Sequence, residues 1–227
     1  MKSEVLFVVT GPTASGKSAY ANKLAQKHSR ELVNADAFQF FKEIPIISNQ
    51  GFQDDKPVHL VGARSLGQAY SAGDFAKDVE PYLNSKFILV GTGLYLGAAL
   101  YGLDNETRKG TPFQGEPRVE YLMTVLNPPR AHLYDQINER VDQMMSDGAL
   151  TEAEKIFDLL ASQKLSPGLP VLKAIGLKHL LEHLRGERSL SECIDLWKRD
   201  TRRLAKRQWT WLRKFCPPGP CVEWLAV

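Results

Sequence analysis

The chain has 227 residues, 43% hydrophobic and 24% charged, with a formal net charge of +3. These are the proportions of a soluble globular protein of one large or two small domains. They exclude a membrane-embedded chain, and the net charge by itself gives no reason to expect a nucleic acid. The first residues hold one Lys before an apolar run and no small-residue cleavage site, so no secretory leader is expected and the cytoplasm is the expected compartment.

Residues 5–9, Val-Leu-Phe-Val-Val, predict a buried parallel strand. The strand runs into Gly11-Pro12-Thr13-Ala14-Ser15-Gly16-Lys17-Ser18, which fits the phosphate-loop pattern G-x-x-x-x-G-K-[ST]. Residues 19–27 then predict a helix. In that setting the glycines let backbone N–H groups turn inward around an anion, and the helix start adds partial positive charge. Lys17 brings a full charge to the terminal phosphates, and the Ser18 hydroxyl is placed to ligate Mg²⁺. A di- or triphosphate is the expected ligand of residues 11–18.

Residues 32–36 predict a second short strand, ending in the carboxylate of Asp36. Ser71 is a capping signal for a helix over 71–83. Residues 87–90 predict a third buried strand that stops at Gly91-Thr92-Gly93. This alternation predicts an α/β fold, a phosphate-loop NTPase-like parallel sheet flanked by helices, with a helical C-terminal part. Ligands of such sheets bind at the carboxyl ends of the strands, so the loop, Asp36 and Thr92 should share one crevice. Phosphate-loop enzymes that transfer phosphoryl groups carry an acid at a strand end to support Mg²⁺. Strand 87–90 ends in Gly-Thr-Gly instead, which leaves Asp36 as the strand-end acid near the loop. A carboxylate there can assist a metal or accept a proton from an incoming nucleophile.

Residues 104–117 lack an apolar period and read as a surface loop. Residues 119–126 return as a strand, closed by Asn127-Pro128-Pro129. From Ala131 onward the chain is mostly helical. Leu133, Ile137, Val141 and Met144 or Met145 make one apolar stripe, ended by Asp147-Gly148. A second helix runs from Thr151 to about Ser162, residues 165–170 form a linker, and helical signal resumes at Val171 and again after Ser189.

In the last helix Leu190, Ile194, Trp197, Thr201, Leu204, Gln208, Trp211 and Phe215 fall at alternating three- and four-residue steps, one mainly apolar face with Trp197 and Trp211 in the core. Between Lys198 and Lys214 eight Lys and Arg residues stand against one acid, Asp200. Such a block predicts contact with backbone phosphates, with Arg202, Lys206 and Arg207 among the contacting residues. Cys193, Cys216 and Cys221 read as free thiols, since no His pair follows to complete a zinc site.

The loop together with Asn34-Ala35-Asp36-Ala37-Phe38-Gln39 resembles the start of the tRNA dimethylallyltransferases, also called tRNA isopentenyltransferases. Further matches follow in order. They are residues 68–75 (Gln-Ala-Tyr-Ser-Ala-Gly-Asp-Phe), 89–95 (Leu-Val-Gly-Thr-Gly-Leu-Tyr), 174–178 (Ala-Ile-Gly-Leu-Lys) and 201–213 (Thr-Arg-Arg-Leu-Ala-Lys-Arg-Gln-Trp-Thr-Trp-Leu-Arg). The resemblance implies that the loop holds the diphosphate of dimethylallyl diphosphate, with Mg²⁺. It implies transfer of the dimethylallyl group to the exocyclic amine of the adenosine adjacent to the anticodon of tRNA, a base that must leave its stack to react. Asp36 matches the general base, Thr92 a residue contacting the acceptor nucleotide, and Asp36, Ala37, Phe38 and Gln39 a tRNA-contacting segment. No membrane partner is implied, and a monomer is expected.

Three departures stand out. One Gly91 precedes Thr92 where the family has two glycines. Residues 46–50, Ile-Ile-Ser-Asn-Gln, lack the Lys of the family's segment. The loop 104–117 replaces the family's helical tRNA-binding insertion, so the whole chain, 1–227, reads as a single transferase core. At this stage a free adenine nucleotide as acceptor, a nucleoside-type kinase or NTPase, and a catalytically weak RNA-binding relative remain open.

Overall fold

The computed structural model describes residues 5–50, 58–103 and 115–227, so most of the expected loop 104–117 lies outside the described residues. Six strands form one sheet: β1 (Leu6–Thr10), β2 (Glu31–Ala35), β3 (Val58–His59), β4 (Phe87–Gly91), β5 (Tyr121–Leu126) and β6 (Val222–Leu225). Their order is β3-β2-β4-β1-β5-β6 and every pairing is parallel. The apolar runs mark β1, β2, β4 and β5. The short edge strands β3 and β6 carry no such run, because an edge is covered on fewer sides.

Side chains alternate across the sheet, as a pleated strand requires. One face, with Val9, Leu32, Ile88 and Val90, packs on Ala21 and Ala25 of helix α1 (Lys17–His28). The other face, with Leu6, Val8, Val33, Leu89, Met123 and Val125, packs on α2 (Ala72–Asp78) and α3 (Leu94–Tyr101) through Phe75, Leu96 and Leu100. Central strands covered on both sides need apolar residues at every position, which is why they read as unbroken runs. The helix expected over 71–83 starts as expected. Ser71 Oγ accepts from Asp74 N–H and the Asp74 carboxylate accepts from Ser71 N–H. It ends early, at Asp78, and a 3-10 turn follows over Glu80–Tyr82. Pro81 has no N–H with which to continue an α-helix.

A second apolar core lies among α4 (Arg130–Ser146), α5 (Ala149–Ala161), α6 (Ile175–Leu184) and α7 (Leu190–Phe215). Phe41, Ile44 and Ile47 from the segment after β2 enter it. Helix α7 buries Cys193, Trp197, Thr201, Ala205, Trp209 and Leu212, so the expected face needs correction. Trp197 is buried, but Trp209 rather than Trp211 is the fully enclosed tryptophan of its C-terminal half, while Trp211 is half-buried. A 3.5-residue step follows one seam only in a supercoiled helix and drifts about 20° per heptad on a straight one. Helix α7 meets α6, then α4, then the sheet, so its buried stripe turns with its partners.

No described helix is long and apolar enough to cross a membrane. Gly176 lies against the Trp197 indole, and a Cβ built there would sit 2.4 Å from Trp197 Cζ2. Gly176→Ala gains at most about 1 kcal/mol of helix propensity, whereas forcing a methyl into a packed ring costs about 1–3 kcal/mol. The clash wins, and a thermal melt of Gly176→Ala should show a midpoint several degrees below that of the parent protein.

Candidate active site

Parallel strands end together, and here the ends of β2, β4 and β1 lie side by side. Ala35 pairs with Gly91, so the next residues, Asp36 and Thr92, emerge as neighbours from adjacent strands. Gly91 is required at this spot: a Cβ would lie 2.5 Å from the carbonyl of Ala35. The single glycine before Thr92 thus suffices for the close strand approach. Asp36 is fixed through its backbone. Its N–H donates to Asn34 Oδ1 at 2.9 Å, and the fully buried Asn34 amide donates to Asp36 O and Leu60 O.

The phosphate loop follows β1. Gly11 passes so near Leu126 that a Cβ would meet its carbonyl oxygen at 2.9 Å. Gly16, at φ 83°, is the left-handed residue that opens α1. Two distant helices hold Thr13. Its N–H donates to Gln208 Oε1 of α7 at 2.8 Å, and its hydroxyl accepts from Arg140 Nη2 of α4.

Three charges meet in front of the loop. Lys17 Nζ lies 3.8 Å from Asp36 Oδ2. Burial holds the Lys17 amine below its usual range, with Asp36 pulling it up and Arg140 pushing it further down. Burial also brings the Arg140 guanidinium down to about 10, against the pull of Asp36. Two cations share this crevice with one carboxylate, so it carries surplus positive charge.

Four buried side-chain polar atoms among the described residues have no hydrogen-bond partner: Thr10 Oγ1, Ser15 Oγ, Thr92 Oγ1 and Arg140 Nε. Each costs about 1–3 kcal/mol when left so. All four belong to the loop, to the strand ends beside it, or to the arginine that faces it. A multivalent oxyanion with hydroxyl-accepting oxygens fits this set. A divalent ion such as Mg²⁺ fits too. The Ser18 hydroxyl and the Asp36 carboxylate are hard oxygen donors, and such ions are commonly held by one or two protein oxygens plus substrate phosphates.

The remaining expected contacts separate into two groups. Phe38 is 38% exposed and Ala37 half-buried beside Asp36. Gln39 is buried, and its amide donates to Ser48 O and Asn49 O. In this structure Gln39 thus serves as an internal brace of the segment after β2. That segment is also held by the buried Glu152 of α5, whose carboxylate accepts from Ile46 N–H at 2.7 Å and Ile47 N–H at 2.9 Å. On α7, Lys206 and Arg207 are exposed, but Arg202 turns inward and donates to Asn138 Oδ1. Two site residues, Arg140 and Gln208, were not anticipated. Their signal was present: Arg140 is a charge three residues beyond Ile137 and four before Met144 on the apolar stripe of α4, and Gln208 is a polar step in the stripe of α7.

Comparison with known proteins matches residues 4–59 to an isopentenyl transferase family model and residues 105–215 to an IPP transferase model. The first span holds the loop and Asp36, the second Arg140 and Gln208. A Caulobacter sp. tRNA dimethylallyltransferase is 30% identical over 297 aligned positions, covering 100% of this chain and 95% of the relative. The chain belongs to the tRNA dimethylallyltransferase family. With 227 residues in a 297-position alignment, it lacks stretches that the Caulobacter enzyme carries. An Oenococcus oeni tRNA dimethylallyltransferase, 33% identical, aligns over only 230 positions, covering 94% of this chain and 87% of the relative. The full-length tRNA isopentenylpyrophosphate transferase of Bacillus halodurans superposes with a TM-score of 0.82 at 26% identity, over 99% of this chain and 90% of its own. A eukaryotic dimethylallyltransferase acting on tRNA shares the fold, with a TM-score of 0.81 at 21% identity over 99% and 74% of the two chains.

Arg140 donates to Thr13 of the loop and keeps an unpartnered buried Nε, which makes it a candidate contact for an anion there. Arg140→Met should weaken binding of inorganic pyrophosphate by about tenfold to a hundredfold, the loss of one charge-assisted contact. Titration calorimetry reads this directly, and unchanged affinity would remove Arg140 from the site.

Proposed function

We propose that the loop 11–18 binds the diphosphate of dimethylallyl diphosphate, and that the dimethylallyl group passes to the exocyclic amine of the adenosine adjacent to a tRNA anticodon. The carrying observation is the set of unpartnered polar atoms, Thr10, Ser15, Thr92 and Arg140, beside the cations Lys17 and Arg140. A diphosphate satisfies Thr10, Ser15 and Arg140 and neutralises the surplus charge, which leaves Thr92 for the acceptor.

The step is a displacement at carbon. The amine nitrogen forms a bond to the allylic carbon, the carbon–oxygen bond breaks, and its electron pair leaves on the diphosphate. Lys17, Arg140 and the N-terminus of α1 stabilise that growing negative charge in a site shielded from water. The Ser18 hydroxyl would hold a divalent ion such as Mg²⁺, which would supply further positive charge to the leaving diphosphate. Asp36 accepts the amine proton. Its 3.8 Å distance from Lys17 supports this role, because base and leaving group must flank one reacting centre.

The Thr92 hydroxyl, next to Asp36 in register, is the proposed contact to the acceptor nucleotide. Exposed Phe38, with Ala37, offers an apolar surface to a purine that has left its stack. Lys206 and Arg207 grip backbone phosphates, with Arg202 supporting them from beneath through Asn138. A monomer is proposed as the acting form. We assign residues 1–227 to one transferase core in which 104–117 stands in for the family's helical insertion. A cytoplasmic location accompanies a tRNA substrate.

Asp36→Asn should lower kcat by about 10²–10⁴ with little change in KM for tRNA, because a base acts in the transition state. Transfer of label from dimethylallyl diphosphate to tRNA measures both. Labelling of AMP but not tRNA would turn the assignment to a free nucleotide acceptor. ATP turnover without prenyl donor would turn it to an NTPase.

A further inference from the structure

His179 of α6 is 3% exposed and stands outside the site described above. Its Nδ1 lies 3.1 Å from Glu182 Oε2 and its Nε2 lies 3.2 Å from Asp200 Oδ2 of α7. Glu182 in turn has Lys178 Nζ at 3.8 Å and Arg188 Nε at 3.5 Å. The buried thiol of Cys193 lies in the field of Glu182 and Arg188. Among the described residues no ionisable group of α5, or of the 3-10 turn Pro170–Lys173, forms a hydrogen bond or ion pair with the ring.

Both ring nitrogens therefore face carboxylate oxygens. A neutral imidazole has one N–H and one lone pair, so it satisfies one carboxylate and repels the other; the imidazolium donates to both.

Asp200 occupies a telling place. It is the one acid between Lys198 and Lys214. Arg199, Arg203, Lys206, Arg207, Arg213 and Lys214 are exposed, and their three- and four-residue spacing makes one basic stripe opposite the buried face of α7. The other oxygen of Asp200 accepts from Arg199 Nε at 3.0 Å and Arg203 Nη1 at 3.1 Å. An uncompensated carboxylate there would repel a phosphodiester and draw two arginines away from it.

We infer that His179, as an imidazolium, is a positioning residue for RNA binding: it holds and neutralises Asp200, so that Arg199 and Arg203 face the tRNA backbone with their charge undiminished. This rests on the tRNA reading above.

The test measures tRNA Kd by anisotropy, across salt, for the full-length wild type, His179→Gln, Asp200→Asn and the double variant. His179→Gln should weaken tRNA binding about fivefold, one uncompensated charge near phosphates. It should raise KM for tRNA without changing kcat at saturating tRNA. Adding Asp200→Asn should restore wild-type affinity, since the offending charge is gone. A purely structural histidine predicts the reverse, a further loss when its partner is also changed. Wild-type affinity in His179→Gln, or no rescue in the double variant, overturns the inference. Should the glutamine variant fail to fold, Asp200→Asn alone decides: it should bind at least as tightly as wild type, and weaker binding refutes the role. Wild type that binds no tRNA at any salt concentration would remove the RNA reading as well. Wild type that binds while the variants match it would remove only the part given to His179.

Discussion

Positive charge kept away from water is the constraint around which this molecule is arranged. Lys17 and Arg140 both sit where burial disfavours their charged forms, with the single carboxylate of Asp36 as shared counter-ion. Buried charges are tolerated when they are paired and hydrogen-bonded, and here the pairing is incomplete. The sheet order explains how such an arrangement persists. The ends of β2, β4 and β1 lie on strands buried on both faces, so the groups they carry are held by the most rigid part of the fold. Helices α4 and α7 then close over Thr13 from outside. The crevice is preorganised for an anion because its walls cannot relax to satisfy their own polar atoms.

The resulting economy suits a short chain. An extended alignment with the Caulobacter relative and a compact one with the Oenococcus relative both retain nearly the whole of this sequence. Among the described residues, the unpartnered polar atoms and the charges of the crevice lie on β1, the loop, the residue after β4, α1 and α4, and Asp36 follows β2. The segment after β2 is the part most in need of support. Gln39 and Glu152 supply it by taking up the backbone groups of residues 46–49.

What the amino-acid order reveals about such a site depends on range. The loop was legible because its glycines, Lys17 and Ser18 are contiguous and lie between an apolar run and a helix. Asp36 and Thr92 were legible because a parallel sheet brings strand ends together, whichever residues separate them. The capping signal at Ser71 was legible because it closes within four residues. Arg140 and Gln208 were not, since nothing local says which loop a helix will face. Their polar side chains interrupt apolar stripes, and that interruption was the available sign. The buried face of α7 was misplaced for a related reason: a regular step describes one partner, and this helix has three. Gln39 shows what a motif leaves out: its amide is taken up by the backbone of residues 48 and 49, which lie outside the motif.

The bond between Thr13 and Gln208 joins residues 195 positions apart. During synthesis the loop emerges early and the residue that steadies it emerges nearly last. A nascent chain halted before α7 would have β1, β2, β4 and β5 available, but no brace for Thr13 from that helix and no basic stripe. One helix, α7, thus supplies both the brace of Thr13 and the basic stripe, and both reach the ribosome exit in the same late stage of synthesis.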